Sequence, residues 1–221
     1  MPAKKRRRSA ERNYVFLNVP YDSAFENLYL AYIAGLSAFG LTPRATLEIP
    51  TSSRRLDRIL ELIDRCNHSI HDLSRVQLDA KRPRVPRFNM PFELGLAVAR
   101  DARKRGQSWY VCETVSHRIK KSLSDLDGTD VRIHGGTVKG VFGALCDIFV
   151  RKTRQPSVLE MYRGYLQLRR NLSRIMRQAG AMDAYSARVF RDLVFAAQAY
   201  QLETQRQQRD GDKQGKVKIS P

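Results

Sequence analysis

Long apolar runs, paired cysteines and glycine-rich phosphate loops are all missing from this 221-residue chain, and each absence removes a class of protein. No window approaches the roughly 18 to 20 consecutive apolar residues that a membrane span requires. The N-terminus carries Lys4-Lys5-Arg6-Arg7-Arg8 with no apolar segment behind it, so no export signal is read and a cytoplasmic protein is expected. Cys66, Cys112 and Cys146 are odd in number, far apart and never in a Cys-x-x-Cys pair, which predicts reduced, buried thiols. Neither Gly-x-Gly-x-x-Gly nor a Gly-Lys-Thr loop occurs, leaving dinucleotide-dependent dehydrogenases and P-loop enzymes without support. His68 and His71 stand three apart beside Asp72, but without a finger or helical context they read as polar residues at a strand end, and neither a metal nor a bound cofactor is expected.

Acidic residues are also few, 22 against 40 lysines and arginines, for a formal charge of +18. The excess is uneven. Residues 1–13 carry +5 and residues 151–221 carry +9, while residues 14–150 carry only +4. A middle section so nearly balanced does not read as a nucleic-acid-binding surface, so a nucleic-acid partner, reached through the two basic ends, ranks last among the functional readings.

What is present is an alternation of short apolar runs with longer amphipathic stretches. Residues 14–19 form a strand-like run broken by Pro20; Asp22 and Ser23 precede a helical pattern from 25 to 39, closed by Gly40. The unit repeats: a strand is predicted over 42–49, a helix over 54–65 and a third strand over 69–73. A Pro- and Arg-rich loop over 74–87 leads into the helix that carries Glu93 and runs to about 104. Further strands at 108–113 and 131–133, a short helix over 116–123 and a helix over 137–151 complete the series. Alternation of this kind specifies a doubly wound, flavodoxin-like α/β fold with a five-stranded parallel sheet. After Pro156 the pattern is helical only, with Val158, Met161, Tyr165, Leu168, Leu172 and Ile175 on one face and arginines on the other; Gly180 separates a second helix, roughly 183–203. The expected division is a disordered basic tail (1–13), an α/β domain (14–152), an antiparallel helical hairpin (157–205) and a disordered tail (206–221).

In a doubly wound sheet ligands bind outside the carboxyl ends of the strands, near the point where strand order reverses. That rule selects Asn18, Tyr21 and Asp22 after the first strand, Asp72 and Ser74 after the third, and Asn89 and Glu93 from the helix that follows. Glu93 is the most informative of these, an acid among Phe92, Leu94, Leu96 and Val98 in the opening turn of a helix. It is either a charge that favours the helix N-terminus or a group that does chemistry. Ser53, Arg54 and Arg55, with Ser52, gather hydroxyls and guanidinia at a helix start where a phosphate could be held.

The combination of Asn18-Val19-Pro20-Tyr21-Asp22, Asp72-Leu73-Ser74 and Asn89-Met90-Pro91-Phe92-Glu93-Leu94-Gly95-Leu96-Ala97 resembles bacterial TIR-like proteins and their relatives the nucleoside 2-deoxyribosyltransferases. The stretch Ser122-Leu123-Ser124-Asp125-Leu126, with Gly128 and His134, resembles the later part of such proteins, so the likeness covers residues 14–150. The resemblance implies that Glu93 attacks or stabilises an anomeric carbon during cleavage of an N-glycosidic bond, in NAD or a related nucleotide, and that Asp72 engages the base. It also implies self-association, with a role in bacterial defence signalling. The loop over 74–87 has no counterpart in that pattern. A non-catalytic module that senses a nucleotide, with the helical hairpin binding a protein partner or a second copy, is the alternative.

Overall fold

The computed structural model describes residues 13–49, 54–76, 85–103, 108–151 and 154–217. Five parallel strands form one sheet, β1 (Tyr14–Asn18), β2 (Thr42–Arg44), β3 (His68–Asp72), β4 (Ser108–Glu113) and β5 (Val131–Ile133), in the order β2-β1-β3-β4-β5. Helices cover both faces, so the fold is the doubly wound α/β arrangement that the alternation predicts. Strand β1 is apolar without polar alternation because both of its faces are buried; Val15, Phe16 and Leu17 are all fully enclosed.

On one face lie α1 (Glu26–Ala38) and α5 (Val138–Ile148), and outside them the pair α6 (Val158–Ala179) and α7 (Ala187–Val217). Helix α1 sits between the sheet and the pair, which is why every residue from Leu28 to Ser37 is buried and why its sequence lacks a polar stripe. Tyr29, Phe190 and Leu193 join with Met161, Tyr165 and Leu168 in the same core as Val15, Leu17 and Ile70, so the helical pair shares the core of the sheet. Gly40, at φ +67°, ends α1 with hydrogen bonds from Gly40 N to Ser37 O and from Leu41 N to Leu36 O, the glycine-dependent stop expected there. On the opposite face α2 (Arg55–Arg65) packs through Ile59, Leu62 and Ile63 against Phe16. Beside it α3 (Asn89–Arg103) packs Met90 and Leu94 against Leu73 and Val111, with Ile119 of the short helix α4 (Ile119–Ser122) closing that cluster.

Two elements differ from expectation. The strand predicted over 42–49 stops at Arg44, and Thr46–Glu48 form a 3-10 turn instead. Pro43 offers no ladder donor, and the Glu48 carboxylate accepts from Ala45 N at 3.0 Å and from Arg44 Nε at 2.9 Å, capturing the backbone that would have extended the strand. Helix α7 runs to Val217 where the sequence reading ends it near 203 and assigns a disordered tail from 206; Gln205, Arg206, Gln207 and Gln208 are good helix formers that carry the helix past that point. The predicted basic tail at 1–12 lies outside the described residues, and no helix among those described is long and apolar enough to cross a membrane.

One close approach orders the loop between β5 and α5. A Cβ on Gly140 would lie 1.9 Å from the carbonyl oxygen of His134, a backbone atom that cannot swing aside, while Thr137 Oγ1 accepts from Gly140 N at 3.0 Å. Gly140→Ala is therefore expected to destabilise the protein by about 2–3 kcal/mol, seen as a lower urea midpoint at unchanged slope. A midpoint equal to that of the parent chain would contradict the close approach.

Candidate functional site

The connection from β1 leads to α1 on one face and that from β3 leads to α3 on the other, so the reversal of winding falls between these neighbouring strands. Above their carboxyl ends lies a crevice of about 940 Å³ lined by Asn18, Tyr21, Arg55, Phe88, Phe92 and Glu93 among others. Its size lies within the roughly 300–1,000 Å³ of small-molecule and cofactor sites.

Glu93 reaches this crevice because of helical spacing. Met90, Leu94 and Ala97 form the buried stripe of α3, and position 93 lies at its margin, one turn beyond Met90. The residue is 8% exposed and, among the described residues, has no hydrogen-bond or ion-pair partner. Burial pushes its carboxyl up to about 7, with the positive charge of Arg55 opposing the shift. It is the fifth residue of the helix and not part of the opening turn, whose amides include Met90 N and Phe92 N, donating to Arg87 O and Phe88 O. Capping therefore does not account for it.

Beside Glu93, Asn18 is fixed by two hydrogen bonds. Its Nδ2 donates to Met90 O at 2.9 Å and to His71 Nδ1 at 3.0 Å, His71 being its partner across the β1–β3 ladder. A carbonyl can only accept, so the Met90 contact identifies the amide nitrogen and leaves Oδ1 as the atom with no donor among the described residues. The same pair fixes the imidazole: Nδ1 accepts, and burial pushes His71 down to about 3, so the ring is neutral and carries its proton on Nε2. That Nε2 is buried without a partner among the described residues. His71 escaped the sequence reading as a site residue; its position opposite Asn18 is legible only once strand register is known.

The other wall is polar at depth. Tyr21 Oη lies 3.5 Å from Thr46 Oγ1, and its burial raises the phenol well above its ordinary value. Arg55 donates to Ile49 O at 2.9 Å and to Thr46 O at 3.3 Å, so the guanidinium is held by carbonyls and, among the described residues, by no carboxylate. The phosphate-binding trio predicted at this helix start does not stay together. Arg54 is exposed in a separate groove with Asp57, Arg58 and Glu61, and Ser53, like Ser52, lies outside the described residues. Asn89 is exposed on the crevice rim. Asp22 is not a lining residue: its carboxylate accepts from Phe25 N at 3.2 Å at the start of the α1 segment and forms ion pairs with Arg75 and Arg87 at 2.9 and 2.6 Å. Arg87 itself lines the crevice, so Asp22 anchors part of its wall from behind.

Asp72 and Ser74 are turned away from the crevice altogether. Successive residues of a strand face opposite sides, so His71 points toward α3 and Asp72 toward α1. There the Asp72 carboxylate, 0% exposed, accepts from Tyr32 Oη at 2.8 Å, from His134 Nε2 at 3.0 Å and from Ser74 N at 3.0 Å. Ser74 Oγ also lies 3.0 Å from His134 Nε2, and Gly136 N donates to His134 Nδ1 at 3.1 Å. A nucleophilic triad requires serine and carboxylate on opposite ring nitrogens with the serine open to substrate. Here both share Nε2 and Ser74 is 6% exposed, so the cluster is a structural tie. His68, with its ring against Tyr110 and Phe149, faces the side away from His71, and no cluster of three or more His, Cys, Asp or Glu among the described residues is arranged to hold a metal.

Glu93 and Asp72, both buried, make opposite predictions. The folded-state pKa of Glu93 is raised, so its favourable contribution is complete below the unfolded value near 4.5 and is lost as pH rises toward about 7. Glu93→Gln should accordingly stabilise the protein by about 1–3 kcal/mol at pH 8 and have little effect at pH 4, measured by chemical denaturation at both. Destabilisation at pH 8 would restore the capping role. Asp72→Ala leaves three buried donors unsatisfied and is expected to destabilise by about 3–5 kcal/mol at neutral pH; a loss below about 1 kcal/mol would show the network to be dispensable.

Comparison of the chain with protein-family models, with curated proteins and with solved structures finds no match in any of the three.

Proposed function

We propose that the crevice binds a nucleotide and that Glu93 acts on its N-glycosidic bond. The single observation that carries this reading is a buried carboxylate with no partner among the described residues, at the switch point of a doubly wound sheet, beside an arginine that none of the described acids pairs with. The resemblance to TIR-like proteins and nucleoside deoxyribosyltransferases in the Phe92-Glu93-Leu94-Gly95-Leu96-Ala97 segment points to the same residue.

Cleavage breaks the bond between the anomeric carbon and the base nitrogen, and its electron pair leaves with the base. Positive charge develops on the sugar, where a fixed anion is worth most. Glu93 faces that charge as the ionised carboxylate, stabilising it or capturing it covalently, and water or another nucleophile then bonds to the carbon and gives up a proton. Glu93 is the only acid among the described lining residues. With no second carboxyl to protonate a leaving group, the reading favours a substrate whose base already carries positive charge, as the pyridinium of NAD does, and which departs neutral. Asp72 has no part in this step. Arg55, which lines the crevice where Arg54 does not, supplies the charge for a phosphate.

A nucleotide-sensing module that does not turn its ligand over is the second reading. It is favoured by the carboxyl of Glu93 at about 7, which leaves much of the empty protein protonated at neutral pH. Either reading fits a cytoplasmic protein in bacterial defence signalling whose copies associate. The apolar stripe of α6 is already used within the chain, so a partner would meet the outward, arginine-bearing face of the helical pair.

Incubation of the purified protein with NAD and a panel of nucleotides, read by mass spectrometry, is expected to show release of the base, with activity rising as pH passes about 7 and a fall of about a hundredfold or more in Glu93→Gln. Equal turnover by the variant would remove Glu93 from the mechanism. Ligand binding by calorimetry with no product would select the sensing module.

A further inference from the structure

The crevice has two chemically different levels. Its floor is polar, formed by buried Asn18 and Glu93 with half-buried Tyr21 beside them. Its mouth is apolar and open: Phe88 is 67% exposed, Phe92 53%, Val85 54% and Leu56 47%, and all four line the same cavity. Phe88 and Phe92 are one helical turn apart, on adjacent turns of one surface, with Phe92 N donating to Phe88 O at 3.0 Å. Two phenyl rings held in water at the lip of a polar pocket are costly unless a planar partner covers them.

The floor restricts what lies beneath such a partner. Both Nδ2 protons of Asn18 are used, so what this lining side chain has left to offer is Oδ1, an acceptor only. The amide is locked one helical turn from Glu93 through Met90 O, and neutral His71 locks it from the other side, so it cannot rotate to offer a donor. A ligand group at this point must bring a hydroxyl or N–H.

Resting on the nucleotide reading of the site, we infer that the crevice selects ribonucleotides over deoxyribonucleotides and is permissive toward the base. The sugar sits on the floor with its anomeric carbon at Glu93, and the 2′-hydroxyl on the adjacent carbon donates to Asn18 Oδ1. The base lies at the mouth on Phe88 and Phe92, where stacking accepts every base because each has a π face. Beside the four apolar residues, the described lining at the mouth offers exposed Asn89 and Arg87, whose guanidinium is already paired with Asp22, so no fixed polar side chain is left matched to one base edge. His71 is a positioning residue that acts through Asn18.

Calorimetry on full-length Glu93→Gln, which keeps the ligand intact, tests this with adenine, guanine, cytosine and uracil ribonucleoside 5′-diphosphates, their 2′-deoxy counterparts, and ribose 5-phosphate. The dissociation constants of the four ribonucleotides are expected to agree within about fivefold, while loss of the base, or Phe92→Ala with Phe92→Tyr as the restoring change, weakens binding by about tenfold. Loss of the 2′-hydroxyl is expected to weaken binding by about tenfold or more, since it leaves Asn18 Oδ1 desolvated and unpaired. His71→Phe should reduce the ribo-to-deoxy ratio without altering base preference, a change that a merely structural role would not produce. Equal binding of deoxy ligands, or preference for one base by more than about a hundredfold, overturns the inference while leaving the site a nucleotide site. Failure of every nucleotide to bind overturns the nucleotide reading with it. Unchanged ligand binding in Phe88→Ala and Phe92→Ala, with a change in molecular mass in solution, assigns the apolar mouth to a contact between copies and overturns the stacking role.

Discussion

The carboxylate of Asp72 ties together the elements on which the site is built. It sits at the end of the central strand, fully enclosed, and collects donors from α1 through Tyr32, from its own following loop through Ser74 N, and from the β5–α5 loop through His134. A charge or strong acceptor in such surroundings is tolerated only when its lone pairs are met, so the three donors are constrained together. The constraint propagates: His134 is oriented by Gly136 N, and its carbonyl rests against Gly140 at the start of α5. Helix α1, the carboxyl end of β3 and the loop after β5 are consequently held together.

Across the sheet the same strand performs the opposite task. His71, the residue before Asp72, points to the other face and holds Asn18 over the crevice. Consecutive residues thus divide between fold and crevice, Asp72 holding the strand ends from one side and His71 arranging the crevice-lining amide of Asn18 on the other. The period of two in a β-strand makes this division unavoidable.

Three buried carboxylates differ in how their charge is met. Asp72 has three donors, and Glu113 has the fork of Arg118, at 2.7 and 2.5 Å, with Thr114 N at 2.6 Å. Glu93 has none among the described residues and is the one raised to about 7. Protein interiors ordinarily satisfy such groups, and this exception is the observation on which the proposed ligand site rests. Arg55 and Asn18 Oδ1, each with unused capacity on the same crevice, extend that pattern beyond a single residue.

Fold class and the position of Glu93 at a strand–helix switch could be read along the chain, because apolar runs, helical periodicity and Gly40 act locally. Strand β4 and strand β5 have the predicted bounds for the same reason, whereas β2 is shorter because Glu48 returns to Ala45 N, a side-chain choice that propensity does not encode. Membership of the site was less legible. Asp72 and Ser74 stand at the proper strand end but on the wrong face, Arg54 and Arg55 are neighbours that diverge into separate grooves, and His71 enters only through its register with Asn18. Sequence by itself determined which elements form and that an acid interrupts an apolar helix. Only the tertiary structure decided which polar groups face one another and which are left unpaired, since that depends on strand order, register and the face each side chain takes.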